Sequence, residues 1–198
     1  MFALGWADTQ VCPYGNKEGC RVEEVRGLRT AAELAALSAR TAPKSKGEDF
    51  IKTKVLEGEE LRRLAQAMVE YGERTGRGGF DRDGDNVKNS SAVLLIGMKD
   101  ATHCGLNCGA CGFDTCKERV PREMEEFKGP QCAWRLQDLG IAVGSAVKTL
   151  SMLNVDNRIM YRAGVVARKT GVCDCDVAVG IPLSATGKNI FFDRKWPK

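Results

Sequence analysis

Four cysteines fall within thirteen residues, in Cys104-Gly-Leu-Asn-Cys108-Gly-Ala-Cys111-Gly-Phe-Asp-Thr-Cys116, and a fifth follows in Gly129-Pro130-Gln131-Cys132. A thiol is reactive and costly to keep free on a surface, so this density calls for a chemical reason. Cys108, Cys111 and Cys116 are separated by two and then four residues, and Cys132 comes after fifteen more. Four thiolates so arranged suit one compact inorganic centre, and a cubane [4Fe–4S] cluster requires four. Gly109 and Gly112 let the backbone curl and bring its N–H groups towards the sulfurs. Two other readings stay open. Zinc also accepts four thiolates, though usually from two well-separated Cys-x2-Cys pairs. Disulfides or inert buried thiols are the third.

The segment 107–116, with Cys132 behind it, resembles the small [4Fe–4S] domain of Rnf-type electron-transport subunits and of corrinoid iron–sulfur proteins. Their last gap is about one residue longer, a difference a loop absorbs. The likeness implies Cys108, Cys111, Cys116 and Cys132 as cluster ligands and leaves Cys104 outside the pattern. Cys104, Cys108 and Cys111 also echo the three-cysteine motif of radical S-adenosylmethionine enzymes, but 198 residues are short for the barrel those enzymes use.

A loop of this kind must hang from something rigid. Ala92-Val-Leu-Leu-Ile-Gly97 is a continuous apolar run, expected as a buried central strand that leads straight into the cysteines. Residues 27–42 read as an Ala-rich helix ended by Pro43, and 57–74 as an amphipathic helix. Residues 1–26, with Cys12 and Cys20, read as a loop, and so does Asp81-Arg-Asp-Gly-Asp85. A short charged helix is expected within 114–127, despite Pro121. The helix from Leu136 to Leu153 is apolar nearly all round and is expected at the centre of the fold. Asp176 to Ile181 reads as a second buried strand, followed by a turn through Asn189. Cys173 and Cys175 form a last thiol pair of open role.

The chain has room for one sizeable core, expected as a single domain over residues 1–198 with the cluster-binding segment inserted at 100–135. A net charge of +4, without a dense Lys/Arg run, excludes a nucleic-acid footprint. No apolar run is long enough to span a bilayer. The first residues lack a basic and apolar leader, so a reducing cytoplasm is the expected setting.

Across most of its length the chain resembles the DUF2148 family of ferredoxin-domain proteins. The likeness is carried by Arg40-Thr-Ala-Pro-Lys-Ser-Lys-Gly47, the strand at 92–97, the cysteine segment, Asp138 to Ala146, Asp156-Asn-Arg-Ile-Met-Tyr161, and Gly180 to Arg194. The family name describes a cluster domain and asserts no reaction. More distantly, the order of elements is similar to that of FMN-dependent nitroreductases. That likeness implies an α+β fold, a three-layer helix/sheet domain interrupted by the cluster segment. It also implies an FMN phosphate held by basic residues from both chain ends, for which Lys44, Lys46, Lys188 and Arg194 are the nearest candidates. The paired N-terminal arginines and the Ser-x-x-Asn-x-Gln signature of those enzymes are missing. Three functions follow as expectations. One is a one-cluster electron carrier serving an unknown redox partner protein. Another is an oxidoreductase whose cluster feeds FMN in a pocket at a homodimer interface. The last is a zinc- or cluster-stabilised binding module without turnover.

Overall fold

A computed structural model describes residues 17–192, with side chains from residue 24 onward. The organising element is β2 (Ala92–Met98), whose seven residues are all buried. Side chains alternate across a strand, so a strand apolar at every position must be covered on both faces. Ala92, Leu94, Ile96 and Met98 enter one core with α1 (Lys17–Thr41) and α4 (Ala133–Met152). Val93 and Leu95 enter a second core with α2 (Gly58–Thr75), α3 (Phe80–Lys88) and α5 (Tyr161–Lys169). The result is three layers, helices on both faces of one sheet.

That sheet is antiparallel, with β1 (Ile51–Glu57), β2, β6 (Val177–Ser184) and the short β5 (Asp156–Asn157) side by side in that order. Ile51, Met98 and Val177 lie together at one end, while Ala92 and Leu183 pair near the other. Helix α5 lies hard against β6: a Cβ on Gly164 would fall 2.0 Å from the Ala178 carbonyl oxygen. Among the described residues no helix is long and apolar enough to cross a membrane.

The α+β three-layer class, both buried strands and the helix at 57–74 agree with the expectations. Four elements differ. Helix α1 begins at Lys17, so its first turns fall where a loop was expected; Cys12 and the side chain of Cys20 lie outside the described part of the structure. The acidic stretch 81–85 belongs to helix α3, because Phe80, Asp83, Gly84 and Val87 form one buried face and Arg162 neutralises Asp83 at 2.9 Å. Residues 114–127 hold only a 3₁₀ turn (Cys116–Glu118) and a small hairpin, β3 (Arg122–Glu123) with β4 (Lys128–Gly129). Pro121 cannot donate within a helix, which accounts for the interruption. Helix α4 flanks the sheet and leaves Gly140, Ile141 and Gly144 exposed.

Candidate metal centre at the sheet end

The cysteine loop leaves β2 at the end of the sheet where Ile51 and Val177 also lie. It is built almost without regular structure. Gly105, Asn107, Gly109 and Gly112 all have positive φ, between 46° and 86°. Three are glycines, which take that conformation freely, and asparagine is the side chain that tolerates it best. Asn107 also closes the loop on itself. Its side-chain oxygen accepts from the Cys116 backbone N–H at 2.9 Å, and its own N–H points to the Cys116 sulfur at 3.3 Å.

Five cysteines, Cys104, Cys108, Cys111, Cys116 and Cys132, are unpaired and line one recess. Cys104 and Cys132 are buried, Cys111 and Cys116 half-buried, and Cys108 exposed. Several donors face the sulfurs. The Trp134 indole N–H lies 3.3 Å from the Cys108 sulfur. The backbone N–H of Ala110 and that indole hold the Cys108 thiol below its ordinary pKa. Burial pushes Cys104 up. Burial acts on Cys132 in the same sense but is outweighed by N–H groups of Cys104, Arg135 and Trp134 and by the Cys104 thiol, so Cys132 is lowered. Cys132 stands at the N-cap of α4, where N–H groups have no helical partner and favour an anion.

Two buried residues fix the loop to the scaffold. Arg135 is fully buried. It donates to the Thr102 carbonyl (3.0 Å), the Ser45 carbonyl (2.8 Å) and Asp138 (3.3 Å), pairs with Glu48, and lies over the Phe50 ring. Asp138 in turn accepts from the Ser45 N–H and hydroxyl, both at 2.8 Å. Asp176, also buried, accepts from the Asp100 N–H at 2.8 Å through its side chain and from the Lys128 N–H at 3.0 Å through its carbonyl. One limb of the loop enters past Asp100 and Thr102; the other leaves past Lys128 and Cys132. Both are therefore anchored.

The donor set and the empty partners around it fit an anionic, sulfur-bound group. Among the described residues, the buried side-chain atoms without a hydrogen-bond partner are His103 Nδ1, Arg119 Nε and Gln131 Oε1. All three belong to the cysteine loop, and His103 and Arg119 line the recess itself. No three His, Cys, Asp or Glu side chains among the described residues converge closely enough to hold a single metal ion. Four thiolates are a donor set that either zinc or a [4Fe–4S] cluster, bound at its corners, accepts.

Among the described residues, the candidates for a flavin phosphate fall at two places, Lys44 and Lys46 at one and Lys188 at the other. Lys44 Nζ caps the end of α1, donating to the carbonyls of Ala39, Arg40 and Ala42 at 3.1, 2.7 and 2.7 Å. Lys46 is exposed in the adjoining 3₁₀ turn, at the cysteine end of the sheet. Lys188 follows β6 at the opposite end, a strand length of roughly 25 Å away. Arg194 lies outside the described residues.

The sequence reading gave no role to Asn107, Arg119, Trp134, Arg135 or Asp138. Arg135 and Asp138, two of the three charges in a mostly apolar helix, carried a signal: such groups are buried only when paired.

A protein of Archaeoglobus fulgidus described as uncharacterized is 52% identical over 170 residues, covering 85% of this chain and 92% of its own. The family model described as "Uncharacterized protein containing a ferredoxin domain (DUF2148)" matches residues 128–194. The chain belongs to the DUF2148 family. Among solved structures, nitroreductase CinD from Lactococcus lactis in complex with nicotinic acid superposes with a TM-score of 0.51 at 14% identity, over 83% of this chain and 84% of that one. A nitroreductase with bound FMN from Desulfitobacterium hafniense gives a TM-score of 0.50 at 10% identity, over 80% and 78%. At such identities the likeness is one of fold. This DUF2148 chain has the nitroreductase fold, and its family's ferredoxin domain points to redox chemistry.

Proposed function

We propose that this DUF2148 protein is an iron–sulfur electron carrier holding one [4Fe–4S] cluster on Cys108, Cys111, Cys116 and Cys132. The observation that carries the reading is the recess itself, where five unpaired cysteines meet sulfur-directed N–H donors and unpartnered buried polar atoms. When bound, such a cluster supplies reversible one-electron transfer, with a potential set by hydrogen bonding and burial. The chain's own residues do the rest. Asn107 and Trp134 donate to sulfur, which favours negative charge there. Burial of Cys104 and Cys132 keeps water from the inner side. Cys108 gives the outer side an exposed edge, and Leu106 and Val120 stand exposed on the same loop. An exposed edge rimmed by apolar side chains suits brief docking of a redox partner protein.

A flavoenzyme reading is favoured by the fold alone. If it holds, Lys46 and Lys188, which lie at opposite ends of the sheet, would meet at one phosphate only across two copies of the chain. The exposed Gly140, Ile141 and Gly144 face of α4 offers a second copy close approach.

Anaerobic purification, an absorption spectrum and assays of iron, sulfide and zinc on the same sample decide between these readings. The cluster reading expects broad brown absorbance, bleached by dithionite, with about four iron and four sulfide per chain. Structured yellow bands would promote FMN. A colourless zinc protein that resists reconstitution refutes the electron carrier. Iron content should fall in Cys132→Ser and persist in Cys104→Ser; the reverse would make Cys104 the fourth ligand.

A further inference from the structure

The one disulfide described lies outside the cysteine recess. Cys173 and Cys175 are bonded to each other across a single residue, in the turn between α5 and β6. A disulfide stabilises a fold chiefly by closing a long loop in the unfolded chain. Closing a loop with one intervening residue contributes very little. The turn is also held without the S–S bond. Cys173 N–H donates to the Ala167 carbonyl at 3.0 Å, Cys175 N–H to the Cys173 carbonyl at 3.0 Å, and Arg168 Nε to the Cys175 carbonyl at 2.7 Å. Lys99 pins the intervening Asp174 at 2.8 Å. These contacts hold the turn independently of the S–S bond.

The pair borders an open recess of about 330 Å³, lined by Lys99, Arg168 and Lys169 and by the carboxylates of Glu123, Asp174 and Asp176. Cys173 is the more accessible of the two, at 8% against 3% for Cys175. On the inner side, the Cys175 sulfur is pressed to β2, where a Cβ on Gly97 would come within 2.5 Å of it. The next residue is Asp176, the anchor for both limbs of the cysteine loop.

We propose that Cys173 and Cys175 form a thiol–disulfide exchange site for a dithiol partner. A partner thiolate attacks the Cys173 sulfur from the recess. The Cys173–Cys175 bond breaks as the mixed disulfide forms, and Cys175 leaves as a thiolate and takes a proton. The partner's second thiolate then attacks its own sulfur in the mixed disulfide, and Cys173 departs and is protonated. Two electrons and two protons pass from the partner dithiol to the pair, and the partner is left as a disulfide. The reverse sequence oxidises the pair. The buried contact with Gly97 makes Cys175 the resolving side and Cys173 the docking side.

The test uses the full chain, purified anaerobically and equilibrated with mixtures of reduced and oxidised dithiothreitol. The samples are then quenched in acid, alkylated and analysed by mass on the peptide carrying both cysteines. The proposal expects a single step from disulfide to doubly alkylated peptide in the folded protein. By mass action for a one-to-one dithiol exchange, the passage from one-tenth to nine-tenths reduced should span about an 80-fold change in the reagent ratio. Cys173→Ser and Cys175→Ser should give a singly alkylated peptide at every ratio. The readout is a mass and does not depend on iron, so it stands or falls separately from the cluster. A pair that stays oxidised in excess reductant until the protein is unfolded in urea overturns the proposal. So does a pair that stays reduced in oxidised reagent alone, or one that bonds to any third cysteine.

Discussion

Arg135→Met should be among the most damaging single changes in this protein, and the structure gives the size. The guanidinium is fully buried and satisfies the carbonyls of Thr102 and Ser45 while facing Asp138 at 3.3 Å. Methionine fills much of the volume but donates nothing. Two carbonyls then lose a partner, and the Asp138 carboxylate, only 6% exposed, is left as a buried charge held by Ser45 alone. Removing one member of a buried pair typically costs about 3–5 kcal/mol. For a chain of this length that lowers the melting temperature by roughly 6–20 °C. The measurement is thermal and urea unfolding of metal-free protein by circular dichroism, so that cluster loss does not enter. The decisive companion is Asp138→Asn in the same background. Asparagine keeps an oxygen for the Ser45 N–H and hydroxyl while removing the charge, so the double variant should recover a large part of the loss. A cost below about 1 kcal/mol for the single change, or no recovery in the double, would show that the network is not the anchor described here.

Other outcomes follow from single contacts. Gly164→Ala should cost at least about 3 kcal/mol or prevent folding, because its methyl group would overlap the Ala178 carbonyl of β6; soluble yield and urea midpoint check it. In the cluster-loaded protein, Trp134→Phe removes the indole donor to Cys108. It should make the reduction potential more negative by at most roughly 40 mV, the equivalent of about 1 kcal/mol for one electron, with iron content unchanged. Asp49 titrates below its ordinary range: burial opposes this, but Arg40 and the Ile51 N–H outweigh it. Its stabilising share is therefore present above the unfolded value near pH 4 and lost as pH falls through the lower folded value. Asp49→Asn should flatten the stability–pH curve in that window, by less than about 1 kcal/mol for so partly exposed a pair.

What the sequence disclosed and what it withheld divide along the range of the interactions. The run at 92–97 and the amphipathic period of 57–74 are local patterns, and the elements appear at 92–98 and 58–75. Helix α3 was hidden because its acidic residues read as a turn, whereas Asp83 is neutralised by Arg162, 79 residues on. The interior of α4 was overread: apolar composition all round cannot say which face a neighbour covers, and the side with Gly140 and Gly144 stays open. Lys44, a candidate for a flavin phosphate, donates instead to carbonyls at the end of the helix that precedes it. Arg135 could be noticed as anomalous, but its partners Ser45, Glu48 and Thr102 come from elements far away in the chain.

The same division explains how a loop with so little regular structure can hold a demanding site. Residues 99–132 have almost no core of their own, and their glycines make the unfolded loop entropically expensive to order. The order is imposed from the sheet end. Arg135 grips the entering limb from α4, Asp176 grips both limbs from the residue just before β6, and Asn107 folds the tip back on Cys116. Two of these anchors are buried charges that only the folded three-layer core can satisfy. Formation of the cysteine recess is therefore tied to formation of the core. By the same logic, Asp176→Ala should loosen the loop while leaving most of the sheet intact. Hydrogen exchange at Asp100 should rise by a larger factor than exchange within β2. Equal rises at both would mean that the loop and core unfold as one unit, and would remove the distinction between scaffold and site.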